Sequence, residues 1–315
     1  MAQQTSGKPK EISSFMKKRT KNLIFYCIMI AFPVFQFCYF YLAVNFNSIL
    51  LAFKSYDVYS GTFSWVGTEN FERFFDFCTQ TRMVAKMTGN SLIVYAFNLI
   101  VGIPLALFFS YYIYKKFPAY GLFKIMLFLP SIISSIVMVV LFKGFVEEAI
   151  PEIVEKISGK QILGLVGNHK TVFPTVIFYA IWVGFGSGIL MYSGAMSRVP
   201  DSVVESAKLD GISPLKEFWY ITLPLIYGTL STYLIVGVAG IFTNQLNLYS
   251  FFGNKASPEI MTFGYYLFSG IAEVKTMQEY PYYAATGLLL TFVAVPLTLG
   301  VKYLLEKFGP ETVEF

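Results

Sequence analysis

Glu205-Ser-Ala-Lys-Leu-Asp-Gly-Ile-Ser-Pro-Leu-Lys-Glu-Phe-Trp-Tyr-Ile-Thr-Leu-Pro224 is a polar, helix-capable stretch set between two long apolar runs. Asp201 or Ser202 is placed to cap a helix ending at Leu209, by accepting backbone N–H bonds that a first helical turn leaves open. Gly211 permits the positive-φ turn that stops such a helix. Ser213 then serves as the next cap, and Pro214 takes a first helical position, where a missing N–H costs nothing. The expected product is two short helices meeting at an angle. A polar hairpin of this kind between membrane-length runs is a handle for something in the water.

Composition fixes the solvent around the rest. Hydrophobic residues make up 55% of the 315, charged ones 14%, and the mean hydropathy is +0.58. These values place the chain among polytopic membrane proteins rather than soluble domains. Crossing roughly 30 Å of hydrocarbon takes about 20 apolar residues. Six runs qualify, at 23–44, 88–114, 120–142, 172–194, 222–244 and 281–303, which predicts an all-α integral membrane protein with six transmembrane helices.

Lys17-Lys-Arg-Thr-Lys21 before the first run superficially suits a signal peptide, but no small-x-small cleavage site precedes Phe46, so a retained span is expected. With the amino terminus inside, segments 1–22, 115–119, 195–221 and 304–315 hold 12 Lys/Arg in 66 residues, against 10 in 108 for the outer loops. The positive-inside rule then puts both termini and the 201–221 hairpin in the cytoplasm. The expected organisation is a basic tail at 1–22, one membrane domain at 23–308 and a short tail at 309–315. Because the net charge of +5 is spread in this way rather than gathered on one face, no nucleic-acid role is read.

Several chemistries are disfavoured by what the spans lack. None contains Asp, Glu, Arg or His, and their only lysines, Lys124 and Lys302, sit near the cytoplasmic edge where a long side chain snorkels. A proton-coupled carrier needs a buried ionisable relay, whereas sodium can be held by carbonyls and hydroxyls. A secondary carrier therefore stays as the alternative from another class. No G-x-x-x-x-G-K-[ST] loop exists, since Val154 stands where Gly159-Lys160 would need its first Gly, so the energy must come from a partner. A membrane enzyme is disfavoured too, because no acid, base or metal-binding pair is evident near a span end.

His169, the only histidine, lies in an outer loop, where a surface role outweighs a metal site that needs three or four convergent ligands. Gly184-Phe-Gly-Ser-Gly188 sits inside a span and suits close helix packing better than nucleotide binding. Cys27 and Cys38 share one helix at about 16 Å, too far to bridge, and Cys78 is alone in an outer loop. Pro33, Pro104, Pro130 and Pro296 lie well inside spans, each removing one helical hydrogen bond and favouring a kink. In the first outer loop Phe71, Phe74 and Phe75 fall on one helical face, as expected of a short helix lying near the headgroups.

Glu205, Ala207, Asp210, Gly211, Phe218, Ile221, Leu223 and Pro224 resemble the EAA loop of ABC importer permeases, with Ser206 replacing the second Ala of that pattern. Trp65-Val-Gly-Thr-Glu-Asn-Phe71 looks like the V-G-x-x-N-[FY] signature of the carbohydrate-uptake class. Leu127-Phe-Leu-Pro130, Ser193-Gly-Ala-Met-Ser-Arg-Val-Pro200 and Thr262-Phe-Gly-Tyr-Tyr-Leu267 add to the likeness, which runs from residue 23 to about 308. The resemblance implies a type I ABC importer permease of maltose type in a prokaryotic plasma membrane, with no catalytic activity or cofactor of its own. Its implied partners are a second permease, a cytoplasmic ATPase dimer that holds ATP and Mg, an extracytoplasmic solute-binding protein, and membrane lipid.

Carried onto this chain, the coupling element is Glu205, Ala207, Leu209, Asp210, Gly211 and Ile212, docking on the ATPase. Maltose-type permeases hold their solute with the spans on either side of the hairpin. Sugars need an aromatic or apolar face and neutral hydrogen-bonding groups, which Trp182, Ser187, Thr243, Asn244 and Gln245 supply here. Each of these is also accounted for as helix packing. A permease for another solute would keep the hairpin and alter the lining.

Overall fold

The protein is described here from a computed structural model covering residues 9–273 and 277–310, with side chains from residue 20 onward. Parts of both expected tails, 1–8 and 311–315, lie outside the described residues. Helix α1 (Pro9–Gln36) takes up most of the basic segment and continues through a π-helical turn, Phe37–Ala43, into α2 (Val44–Leu51). From Thr20 to Leu51 this rod is apolar and none of its membrane-length window is buried within the chain. A helix that is apolar all round belongs in lipid or against another subunit.

The loop that follows this rod, expected on the outside, is more structured than expected. It carries an antiparallel hairpin, β1 (Lys54–Asp57) with β2 (Thr62–Trp65), closed at Gly61 with φ +66°. Helix α3 (Glu69–Gln80) follows, and the Asn70 amide donates to the carbonyls of Ala52 and Lys54 at 2.9 and 2.8 Å, tying the helix to the hairpin. Its aromatic face is divided. Phe74 is buried among Val238, Phe242, Phe263 and Tyr282, Phe71 packs at a tilt on Phe53 with ring centroids 5.1 Å apart, and of the three only Phe75 stays exposed.

Helix α4 (Met83–Phe97), a π turn at Asn98–Gly102 and α5 (Ile103–Tyr114) make one continuous crossing. Helix α6 (Tyr120–Ile132) ends at an extended pair, Ile133 and Ser134, and α7 (Ser135–Gly144) starts off at 107° to it. The expected third span is therefore broken. Pro130 has no N–H to give the preceding turn, and the helix ends two residues later. A π turn at Phe145–Ala149 then leads into α8 (Ile150–Ser158). Helix α9 (Val172–Met196) crosses unbroken. A Cβ at Gly186 would meet Ser131 and Phe128, and one at Gly188 would meet Ala106 at 3.3 Å, so these glycines set the close approach of α9 to α6 and α5.

After the hairpin helices α10 (Asp201–Leu209) and α11 (Pro214–Glu217) come a π turn at Phe218–Thr222 and the single turn α12 (Leu223–Leu225). Ile226 leaves the helical region, and α13 (Tyr227–Ala239) departs at 72°. The expected span 222–244 is thus bent near its start, and its longer part has 13 helical residues, about 20 Å. Helices α14 (Leu248–Phe252) and α15 (Phe263–Ala272) lie between α13 and the long α16 (Tyr280–Phe308), which closes the fold. Among the described residues four helices are long and apolar enough to cross a membrane, and six crossings result when each bent pair counts as one.

Three of the π turns end two residues before a proline: Gly102 before Pro104, Ala149 before Pro151, and Thr222 before Pro224. Widening the helix by one residue makes room for the ring that would otherwise strike the preceding turn. The core divides along α9. Val172, Val176 and Tyr179 at one end pack with Phe142, Leu246, Leu248, Phe251 and Tyr265; Tyr192 and Met196 at the other end pack with Tyr111, Val204 and Phe218.

Candidate functional site: the polar hairpin and the turn beyond it

The hairpin is built as its punctuation predicts, apart from its caps. Gly211 has φ +70°, its N–H bonds to the Lys208 carbonyl at 3.1 Å, and the Ile212 N–H reaches the Ala207 carbonyl at 3.2 Å. These two bonds form a Schellman stop, satisfying carbonyls that α10 would leave open. Pro214 starts α11 after Ser213, as expected, but the Ser213 hydroxyl makes no capping bond. Asp201 does not cap either: the capping position is Pro200, which places Asp201 in the first turn of α10, where a negative charge favours the helix dipole.

The hairpin has two faces. Val204, Ala207, Glu217, Phe218 and Thr222 are buried against the end of α5 and α9, while Glu205, Asp210 and Gly211 are exposed. Large apolar side chains are exposed along with them: Leu209 at 88%, Tyr220 at 78% and Leu215 at 61%. Of the six coupling candidates, Ala207 is buried and Ile212 half-buried, and the other four point outward.

Beneath the exposed face sits an ion pair that the sequence reading missed. Lys115, one residue past α5, places its Nζ 2.5 Å from Glu217 Oε1, and both side chains are largely buried, at 13% and 4% exposure. At that distance an ammonium faces a carboxylate directly, the closest ion pair among the described residues. The same ammonium lies 5.7 and 5.8 Å from the ring centroids of Tyr111 and Tyr114, and the Tyr111 hydroxyl donates to the Pro214 carbonyl at 2.9 Å. Phe218 packs on Tyr111 at 5.1 Å and on Phe108 at 5.2 Å. The partners lie about a hundred residues apart in the chain, a separation with no signal in a single sequence.

The proposed solute residues are not gathered into one cleft. Trp182 is half-buried on α9 against Phe142 and Tyr179, with ring centroids at 6.0 and 6.5 Å. Ser187 lines a cleft of about 80 Å³ with Asn98, Tyr192 and Tyr233. Asn98, on the π turn, was not singled out, although an amide inside an apolar run is itself a signal. Thr243 lines a separate cavity of about 630 Å³ between α13 and α16, with Thr291 and Thr298.

Thr243, Asn244 and Gln245 lie beyond the end of α13 rather than in a span. They form a tight turn. Asn244 Oδ1 accepts from the Leu246 N–H at 2.8 Å, and its carbonyl accepts from Thr262 Oγ1 at 2.8 Å. Leu246 and Asn247 both have φ +53°, a strained conformation for Leu in particular. Gly264 on α15 comes so close that a Cβ there would strike the Thr243 carbonyl. Gln245 Oε1 is buried without a partner. On the same helix the Tyr266 phenol is pushed up in pKa, first by burial and then by its 3.1 Å hydrogen bond with the Tyr282 hydroxyl.

The fold has solved counterparts. A bacterial ABC transporter involved in the import of the acidic polysaccharide alginate contains a chain that superimposes with a TM-score of 0.73 at 18% identity, over 94% of this chain and 99% of the other. The same kind of transporter in complex with a periplasmic protein bound to an alginate pentasaccharide gives 0.74. This is the type I ABC importer permease fold. Among curated relatives, Protein LplB of Bacillus subtilis (strain 168) is 27% identical over 277 residues, 84% of this chain and 83% of its own. The polygalacturonan/rhamnogalacturonan transport system permease protein YteP of the same strain is 25% identical, covering 95% of each chain. The arabinooligosaccharides transport system permease protein AraP, from that strain too, is 25% identical over 84% of this chain and 83% of its own. Residues 98–310 match the profile of the family described as binding-protein-dependent transport system inner membrane component. The chain belongs to that family: it is a multi-pass inner-membrane permease component of a transport system that works with a binding protein.

Proposed function

We propose that this chain forms, with a second permease, the membrane path of an ATP-driven importer for a sugar or oligosaccharide. The observation that carries the reading is the hairpin: an α10–Gly211–α11 unit clamped to the bundle on one face and presenting Leu209, Leu215 and Tyr220 on the other. Exposed apolar side chains rimmed by Glu205, Lys208 and Asp210 suit a groove on a soluble partner rather than lipid. That partner is a cytoplasmic ATPase dimer, which holds the ATP and Mg that this chain has no loop to bind. Both termini and the hairpin then face the cytoplasm, and the sugar arrives on an extracytoplasmic binding protein. The carbohydrate substrates named for YteP and AraP support the sugar class.

For the solute path the reading keeps Trp182 and Ser187, in the middle of α9, and Thr243, Asn244 and Gln245, just beyond the end of α13, as neutral groups on the two elements that flank the hairpin. Gln245, with its buried unpaired oxygen, is the member best supported by the geometry. Ser187→Ala and Thr243→Ala test the path with little disturbance to packing, because both side chains are exposed and bond only to carbonyls of their own helix or turn. Uptake against sugar concentration in reconstituted vesicles is the measurement. A several-fold loss is expected where a net hydrogen bond of about 0.5–1.5 kcal/mol to solute is removed, and unchanged uptake in both would remove these residues from the path.

A further inference from the structure

We infer that the buried Lys115–Glu217 ion pair ties the coupling hairpin to the second crossing, so that α5 and α11 move as one body during transport. The inference rests on the proposed docking of the hairpin to an ATPase and adds the route by which its displacement enters the membrane. The contacts of α11 and of Phe218, which follows it, gather on the last two turns of α5 and on Lys115 just beyond. Glu217 meets Lys115, the Pro214 carbonyl meets the Tyr111 hydroxyl, and Phe218 lies between Phe108 and Tyr111. Lys115 is enclosed by the Tyr111 and Tyr114 rings on its other sides.

Separating such a pair would leave two charges in a poorly solvated site, each short of a partner, and that is far costlier than keeping them together. A pair held in this way resists sliding of the hairpin past α5, because any displacement that parts the charges meets that cost. Lys115 and Glu217 are therefore positioning residues, acting through the hairpin rather than on solute.

Single substitutions leave an uncompensated buried charge and test mainly folding. The informative variant replaces both, Lys115→Met with Glu217→Met, because apolar replacement of a whole buried pair is often neutral for stability. The assembled importer, with its ATPase and binding protein, is reconstituted, and sugar uptake per ATP hydrolysed is measured. If the pair carries the hairpin's displacement into the membrane, that ratio should fall several-fold. The swapped pair, Lys115→Glu with Glu217→Lys, should recover most of it. A wild-type ratio in the apolar pair, or a loss that the swap does not relieve, overturns the inference. Failure of the docking proposal shows up separately, as wild-type ATPase co-purification and uptake in Gly211→Val.

Discussion

Gly211 is the position where a single added side chain should separate folding of the bundle from operation of the importer. Its φ of +70° lies in the left-handed region, and a Cβ built there meets nothing within 4 Å, so a substitution is opposed by backbone conformation and not by a clash within this chain. An ordinary L residue pays about 1–2 kcal/mol there, a β-branched one more, and Asn much less. If the turn opens, the bonds from Gly211 and Ile212 to the Lys208 and Ala207 carbonyls are lost as well, at roughly 0.5–1.5 kcal/mol each. Since about 1.4 kcal/mol is tenfold in an equilibrium, Gly211→Ala should shift the balance between the closed and opened turn roughly five- to thirtyfold toward the opened one, and Gly211→Val further. Gly211→Asn should stay within a few-fold of wild type. The assay is ATPase co-purification and ATP-driven uptake for the three variants at matched membrane expression. The order Asn, Ala, Val is expected in both readouts. Loss in Asn equal to that in Val would refute the conformational explanation, and wild-type behaviour in Val would refute the role of the turn altogether.

Orientation is open to chemical labelling: in a background with Cys27, Cys38 and Cys78 replaced, a cysteine at Ser257 should react with an impermeant thiol reagent applied outside intact cells and one at Ser213 should not, and labelling at 213 would reverse the topology. Gly186→Leu should lower the amount of folded protein, because any Cβ there already meets Ser131 and Phe128; the cost expected for overpacking is about 1–3 kcal/mol or more, and an unchanged thermal midpoint in detergent would show that α9 does not sit this close to α6. Asn70→Ala removes the two bonds to Ala52 and Lys54, so amides of the 54–65 hairpin should exchange with solvent faster, by about tenfold for each 1.4 kcal/mol of local protection lost; unchanged exchange would mean that the strand pair stands without that tie.

How much was legible depended on the range of the interaction. The hairpin could be read because Gly211 and Pro214 act on their own backbone, and the structure gives both the expected conformations. The caps could not, because whether Asp201 or Pro200 takes the capping position is decided by how the chain leaves α9. Hydropathy located the apolar runs but carries no direction, so it did not show the breaks at Ile133–Ser134 and Ile226. Pro130 and Pro224 marked the neighbourhood of each bend, while its size is set by packing around it. The strand pair did leave a local signal, Ser60-Gly61 between Lys54-Ser-Tyr-Asp57 and Thr62-Phe-Ser-Trp65, within a loop where only a helix was sought. Lys115 and Glu217 left none, being joined only by the fold. The solute residues were chosen by chemical type, and type alone could not show that Ser187 and Thr243 line different cavities or that Asn244 is spent on its own turn.

The central claim is that this permease is driven through its hairpin by a separate ATPase. The most direct measurement reconstitutes the chain with its second permease, the ATPase and the binding protein, and follows entry of labelled oligosaccharide into vesicles loaded with ATP. The account predicts uptake that needs ATP hydrolysis, stops when the ATPase is omitted, and is indifferent to ionophores that collapse proton and sodium gradients. Uptake that continues without the ATPase and disappears with the ionophores would contradict it, and would establish the chain as an ion-coupled carrier.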